Sequence, residues 1–182
     1  MEIGRTARLR AAFYRRPPLT VARDLIGRTL CRRLETGAVV RGRLVEVEAY
    51  TGVRDLASHA RFGLTRRNRW MWEDGGLAYV YLIYGMHHCL NVVTGDAGAP
   101  SAVLLRAAVL DGGEVVPGPG RLTRAFGIDR RLDGASFLTG QTLWIEKGEP
   151  VASRRIRRTP RIGVEYAGAW AAKPYRFVGE IL

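Results

Sequence analysis

Apolar and polar residues alternate through Ala38 to Tyr50 (AVVRGRLVEVEAY), and this period of two predicts a strand. A shorter run, Thr29 to Glu35, precedes it across Thr36-Gly37, a hairpin signal of moderate quality. A second strand pair is predicted over Ala78 to Tyr84 and His88 to Val93, closed by Gly85-Met86-His87. Ser101 to Leu110 (SAVLLRAAVL) is mostly apolar and reads as a buried strand, following two others as it does. Gln141 to Glu146 and Arg158 to Val164 carry weaker strand patterns. Helical signals are fewer. Pro17 to Ile26 has prolines at its entrance and Gly27 at its exit, Arg121 to Gly127 suits a short helix, and Asp111 to Gly120 reads as loop. Strands outnumber helices, and no strand–helix–strand alternation suggests a parallel sheet. The expectation is a single α+β domain over 1–182, mixed in structure and built around an antiparallel sheet, with 1–12 a loosely ordered basic terminus.

The same period assigns faces. Leu44, Glu46, Glu48 and Tyr50 fall on one side of their strand, and Val45, Val47 and Ala49 on the other. The valine side is expected to face the core. Two acids and a tyrosine then look the opposite way, either as an ordinary solvated face or as the floor of a cleft with one carboxylate serving as a base. In the next pair, Tyr79 and Tyr81 share a face opposite Val80, Leu82 and Tyr84. Aromatics at this spacing are more often packing than binding. The turn alters that balance, because Tyr84, Met86, His87 and His88 gather at or near a hairpin tip that has no core to fill. Large side chains there suit wedging into a base stack.

Composition narrows the classes. The 182 residues are 47% hydrophobic and 25% charged, as in a globular chain. No apolar window is long enough for a membrane span, and the arginine-dotted N-terminus lacks the apolar run of a secretory signal. Cys31 and Cys89 show no spacing that suggests pairing, so a cytoplasmic chain with reduced thiols is expected. Lys and Arg number 29 against 17 Asp and Glu, giving +12. A polyanionic partner follows as the first hypothesis. A compositional preference for arginine explains why only Lys147 and Lys173 occur, but not the excess over acids. Thr65-Arg66-Arg67-Asn68-Arg69 is the local candidate for phosphate contact, with Arg66, Arg67 and Arg69 as its cations, or else a solvated basic loop. Adjacent His87 and His88 point apart on a strand and His59 is the only other histidine, so no metal is expected. Dinucleotide and phosphate-cradling glycine motifs are missing, as is a nucleophile elbow. Carboxylates two residues apart on one strand also fit poorly with glycoside hydrolysis, which needs them across a sugar.

From about Phe13 to Phe177 the sequence resembles the alkyladenine (3-methyladenine) DNA glycosylase family. The resemblance is carried by FYRRPPLTVARDLIGRTL, RGRLVEVEAYTG, SHARFGLTRRNRWMW, GGLAYVYLIYGMHHCLNVV, VLLRA, GPGRLTRAFGI, TPRIGV and KPYRF. It implies a mixed α/β domain with a curved antiparallel sheet and a protruding β-hairpin that intercalates into the DNA minor groove. Glu48, the second acid of VEVEAY, would activate the attacking water, with Arg106 near the water and Glu48. Tyr50 would lie on one side of the extruded base. His59 and Tyr81 would lie on the other, the His59 backbone amide meeting the base edge. Tyr79 matches a neighbouring pocket position, and Asn91 the asparagine that crowds the amino group of guanine. Tyr84, with Met86 beside it, would fill the hole left in the duplex. The strand period alone does not choose Glu48 over Glu46. Between Arg106 and Gly118 the loop is briefer than in many relatives, and His87 and His88 stand where aromatics are frequent. The chain is not expected to carry the N-terminal extension typical of animal members.

The activity implied is that of a monofunctional enzyme. It excises alkylated or deaminated purines (3-methyladenine, 7-methylguanine, hypoxanthine, ethenoadenine) by base flipping and water attack at C1′, initiating base excision repair. No cofactor is implied. The partner is double-stranded DNA containing damaged purines, engaged by a monomer in a bacterial cytoplasm in association with the nucleoid. The rival reading is a basic nucleic-acid-binding protein without catalysis, in which Glu48 would have no work to do. A carbohydrate hydrolase would bind no DNA.

Overall fold

The computed structural model describes residues 7–180. Helices α1 (Ala11–Tyr14), α2 (Pro18–Leu25) and α3 (Pro119–Ala125) accompany nine strands. The strands are β1 (Thr29–Arg33), β2 (Val39–Tyr50), β3 (Ala78–Ile83), β4 (His87–Thr94), β5 (Ser101–Leu110), β6 (Val115–Val116), β7 (Leu143–Glu146), β8 (Ile156–Thr159) and β9 (Arg176–Gly179). All pair antiparallel, along the path β3-β4-β5-β2-β1-β7, with β6 beside β5 and β8 beside β9. The expected mixed fold around a large antiparallel sheet is what forms. Of the terminus expected to be loosely ordered, residues 1–6 lie outside the described part. Arg8 bridges Glu146, and the Leu9 amide donates to Ile145 O at 2.9 Å.

Strand β2 is central, and it corrects the face assignment. Its register with β5 runs Leu44 to Ala108, then Glu46 to Ala107, then Val47 to Leu105. Val45 is the extra residue on β2, and Arg106 the extra residue on β5. These two bulges break the period of two. Leu44 therefore joins Val47 and Ala49 in the main core cluster, not the acids, while Val45, though buried, falls outside that cluster. Beyond the bulge β2 exchanges β1 for β9 along one edge, so Glu46 and Glu48 lie opposite Val178 and Arg176. The core beneath is closed by Val21 and Leu25 of α2, Leu90 and Val92 of β4, Val103 and Leu105 of β5, and Phe126 after α3. Gly42 permits this approach, since a Cβ there would stand 2.9 Å from the Phe126 ring.

Other boundaries shift modestly. The loop expected over Asp111 to Gly120 contains β6 and the start of α3, which Pro119 nucleates two residues before the sequence signal. The strand expected over Arg158 to Val164 is β8, and it ends at Thr159 ahead of Pro160. Residues 160–164 leave the sheet and cross the end of β2, where they become part of the site. Strand β9 and the short α1 were not evident from the pattern. Cys31 and Cys89 are buried and unpaired.

Candidate active site

Three segments meet at the end of β2, around a cavity of about 690 Å³. His59, Tyr79 and Tyr81 line it together as an aromatic wall, and Tyr50, Asn91 and Arg106 line it as well. The aromatic wall is mutually braced. The His59 ring lies 4.7 Å from Tyr81 and Tyr79 lies 5.3 Å from Tyr81, centroid to centroid. His59 Nδ1 meets the Tyr79 hydroxyl at 2.9 Å. Burial, reinforced by the charges of Arg67 and Arg61, lowers the His59 pKa to about 4, so its ring is neutral at physiological pH. Burial likewise pushes Tyr79 up to about 12 and keeps Tyr50 and Tyr81 as phenols. The Tyr50, His59, Tyr79 and Tyr81 rings that line the cavity are thus uncharged. Asn91, on β4 opposite Tyr79, donates from Nδ2 to Tyr79 O at 3.1 Å.

Beneath Tyr50 lies Glu48, with no solvent exposure. Oε1 accepts the Ile162 amide at 2.8 Å, and Oε2 accepts the Tyr50 hydroxyl at 3.0 Å and faces Arg106 Nη1 at 3.4 Å. Desolvation by burial outweighs these partners and raises the Glu48 pKa. Its neighbour behaves oppositely. Burial alone would raise the Glu46 carboxyl, but hydrogen bonds and charge from Arg176 Nε (2.7 Å) and Arg106 Nε (2.8 Å) pull it below its ordinary range. Arg106 reaches both acids because the bulge turns it out of the β5 alternation. The structure thereby separates two acids that the strand period leaves equivalent: Glu46 anchors arginines, and Glu48 is the carboxyl with a raised pKa beside the cavity. Such paired, oppositely tuned carboxyls are a common mark of acid–base chemistry.

The hairpin β3–β4 rises beside the cavity mouth. Tyr84 and Met86 at its tip are 85% and 68% exposed. The Tyr84 φ of 51° and the Gly85 φ of 66° carry the positive sign that type I′ turns require. Tyrosine is a poor residue for that conformation, and such outliers concentrate at functional positions. His87 is the first residue of β4 rather than part of the turn, and it packs over Gly120 at the start of α3. Of the basic run, Arg66, Arg67 and Arg69 are exposed. Arg67 lines the cavity with its guanidinium 5.3 Å from the Tyr81 ring centroid, while Arg69 lies over Trp70. Thr65 and Asn68 have an internal use: Asn68 Nδ2 donates to His59 O at 3.0 Å and to Gly63 O at 2.8 Å, tying the arginine turn to the His59 turn.

A family model described as methylpurine-DNA glycosylase (MPG) matches residues 12–180. The chain belongs to that family. It is similar to a putative 3-methyladenine DNA glycosylase of Myxococcus xanthus, 50% identical over 170 residues that cover 91% of this chain and 86% of that one. A putative 3-methyladenine DNA glycosylase of Methanocella arvoryzae is 47% identical over 180 residues, covering 91% and 88%. The DNA-3-methyladenine glycosylase of Mus musculus is 38% identical over 198 residues, covering 94% of this chain and 59% of the mouse protein. The methylpurine-DNA glycosylase family comprises hydrolases of N-glycosyl bonds, and this chain is such an enzyme, a DNA glycosylase of DNA repair.

Sequence reasoning missed one group. Arg161, buried next to the Ile162 amide, makes a bidentate pair with Asp55 at 2.6 and 2.8 Å. Neither residue stands out by period or spacing, since they are 106 positions apart. Arg161 was present only as an unassigned letter in the block TPRIGV, and Asp55 fell between the blocks RGRLVEVEAYTG and SHARFGLTRRNRWMW.

Proposed function

We propose that the enzyme is a monofunctional glycosylase that flips a damaged purine out of duplex DNA and hydrolyses its bond to C1′. The observation that carries this is Glu48, a sealed carboxylate of raised pKa set under a cavity with neutral aromatic walls. The flipped base stacks between Tyr50 and the His59–Tyr81 wall. Neutral rings attract an electron-poor, cationic alkylpurine through their faces and add no positive charge of their own. Such a base is already a good leaving group, so little acid assistance is needed. As the sugar gains oxocarbenium character, a water at Glu48 Oε2 gives up its proton and adds to C1′. Arg106 orients that water and keeps the carboxylate ionised. Asn91 crowds a guanine amino group and so disfavours guanines in general, which 7-methylguanine offsets by the weaker glycosidic bond of its cationic ring. Neither Lys147 nor Lys173 lines the cavity, in keeping with a water nucleophile and an abasic-site product. Tyr84 and Met86 occupy the gap in the duplex, and Arg66, Arg67 and Arg69 hold phosphates as the monomer tracks the strand. The substrates are 3-methyladenine, 7-methylguanine, hypoxanthine and ethenoadenine. A binding protein without catalysis is disfavoured by Glu48, because a buried carboxylate beside a phosphate path weakens binding unless it does chemistry.

Duplexes that each carry one defined lesion, incubated with enzyme and then treated with alkali, test the reading. Strand breaks at the lesion only after alkali are the expected result. Breaks without alkali would show lyase action and refute the water mechanism.

A further inference from the structure

Arg161, only 4% exposed, joins three elements of the site through its guanidinium. Its Nη1 donates to Ala49 O of β2 at 2.9 Å, and both terminal nitrogens grip Asp55 in the loop that leads to His59. Nη2 also reaches Trp170 O at 3.3 Å. Its Cζ lies 4.7 Å from the centroid of the Tyr50 ring and 5.3 Å from that of Tyr175. The next residue, Ile162, supplies the amide on Glu48 Oε1.

We infer that Arg161, locked by Asp55, is a positioning residue for excision: it fixes the Ile162 amide on Glu48 and braces the Tyr50 ring, so that base and stacking wall are set together. This rests on the reading of Glu48 as the general base. A planar, forked cation suits the task and lysine does not, since lysine offers one point charge and neither the paired bonds nor the flat stack. Losing the Ile162 bond withdraws a donor that favours the charged carboxylate, which moves Glu48 further upward. The other charged or titratable groups facing Glu48 are Arg106 on β5, Glu46 and Tyr50 on β2, and Tyr81 and Cys89 from the hairpin, together with Arg161 itself, whose positive charge Arg161→Lys keeps.

The test uses the full chain and duplex DNA methylated with dimethyl sulfate, reading 3-methyladenine release in single turnovers from pH 5 to 9. Wild type, Glu48→Gln, Arg161→Lys and Asp55→Asn are compared, each with its melting temperature and its affinity for abasic product DNA. Arg161→Lys should lower the release rate roughly ten- to a hundredfold near pH 6, the scale expected of a misplaced catalytic group. Its acid limb should move to higher pH, so that the deficit narrows toward pH 9, with product affinity little changed. Asp55→Asn should move the limb in the same direction by less, and it serves in place of Arg161→Lys should that variant not fold. A uniform loss with an unmoved acid limb, or no loss, in the folded variants would overturn the positioning role. Full release by Glu48→Gln would instead overturn the assignment of the base, a distinguishable failure.

Discussion

Glu46 and Glu48 stand two positions apart on one strand, yet one carboxyl is drawn below its ordinary range and the other pushed above it. The signs give two predictions. As the proposed general base Glu48 must be ionised to accept a proton, and its pKa lies above the ordinary 4.5 of a glutamate. Excision should therefore fall with decreasing pH before an ordinary carboxylate would begin to titrate, and a rate–pH profile for a lesion whose own bond does not titrate will show it. Glu48→Gln should cut excision by roughly two or more orders of magnitude while lesion DNA still binds. A carboxyl raised in the folded state disfavours folding as pH rises through that pKa, so this variant should melt no lower than wild type at neutral pH. Glu46 has the opposite sign. Its contribution is present above 4.5 and is lost as pH falls through its depressed folded pKa. Glu46→Gln should thus melt lower at neutral pH, and it should reduce excision less than Glu48→Gln, through the loosened Arg106. Equal excision loss in both variants would argue against the division of labour. The strand period brought both acids forward but could not rank them. Their difference lies in Arg106, Arg176 and the Ile162 amide, all more than fifty positions away.

At the scale of elements, the tip of the β3–β4 hairpin makes its own prediction. Tyr84 takes a left-handed backbone that costs a non-glycine residue roughly 1 kcal/mol. Tyr84→Gly should therefore stabilise the free protein slightly in urea denaturation. Excision from a well-paired duplex should nevertheless drop strongly, with a small effect on a mismatched or single-stranded lesion, where less opening work remains. An equal defect on paired and unpaired substrates would mean that the tip does not take part in flipping. Here the sequence was informative, because the tight turn and its large side chains were visible as letters. It was misleading along β2. Two bulges reversed the expected side for Leu44 and Val45, and nothing local marks a bulge that is set by how β5 and β9 share the strand. Segment 160–164 escaped for a related reason: its role comes from where it crosses, not from its own pattern.

Across the whole molecule the charge of +12 sets the behaviour toward DNA. Affinity for any duplex should fall steeply and linearly in log–log form as salt rises. Replacing Arg66 and Arg67 by Ala should weaken damaged and undamaged DNA alike and flatten that slope, by roughly one for each phosphate no longer neutralised. Filter binding across a salt series measures both, and a slope unchanged by the double substitution would place the phosphate path elsewhere. The excess charge was legible from composition; its division between the surface and buried service, as in Arg106 and Arg161, was not.

The bond from the Ile162 amide to Glu48 spans 114 positions, and β9 reaches β2 from still later in the chain. A polypeptide emerging from the ribosome therefore carries its acid, its tyrosines and its basic loop long before the parts that hold the acid in place. A chain that ends before residue 161 lacks both the Ile162 amide and β9, so Glu48 would lose a hydrogen-bond donor and β2 a sheet neighbour.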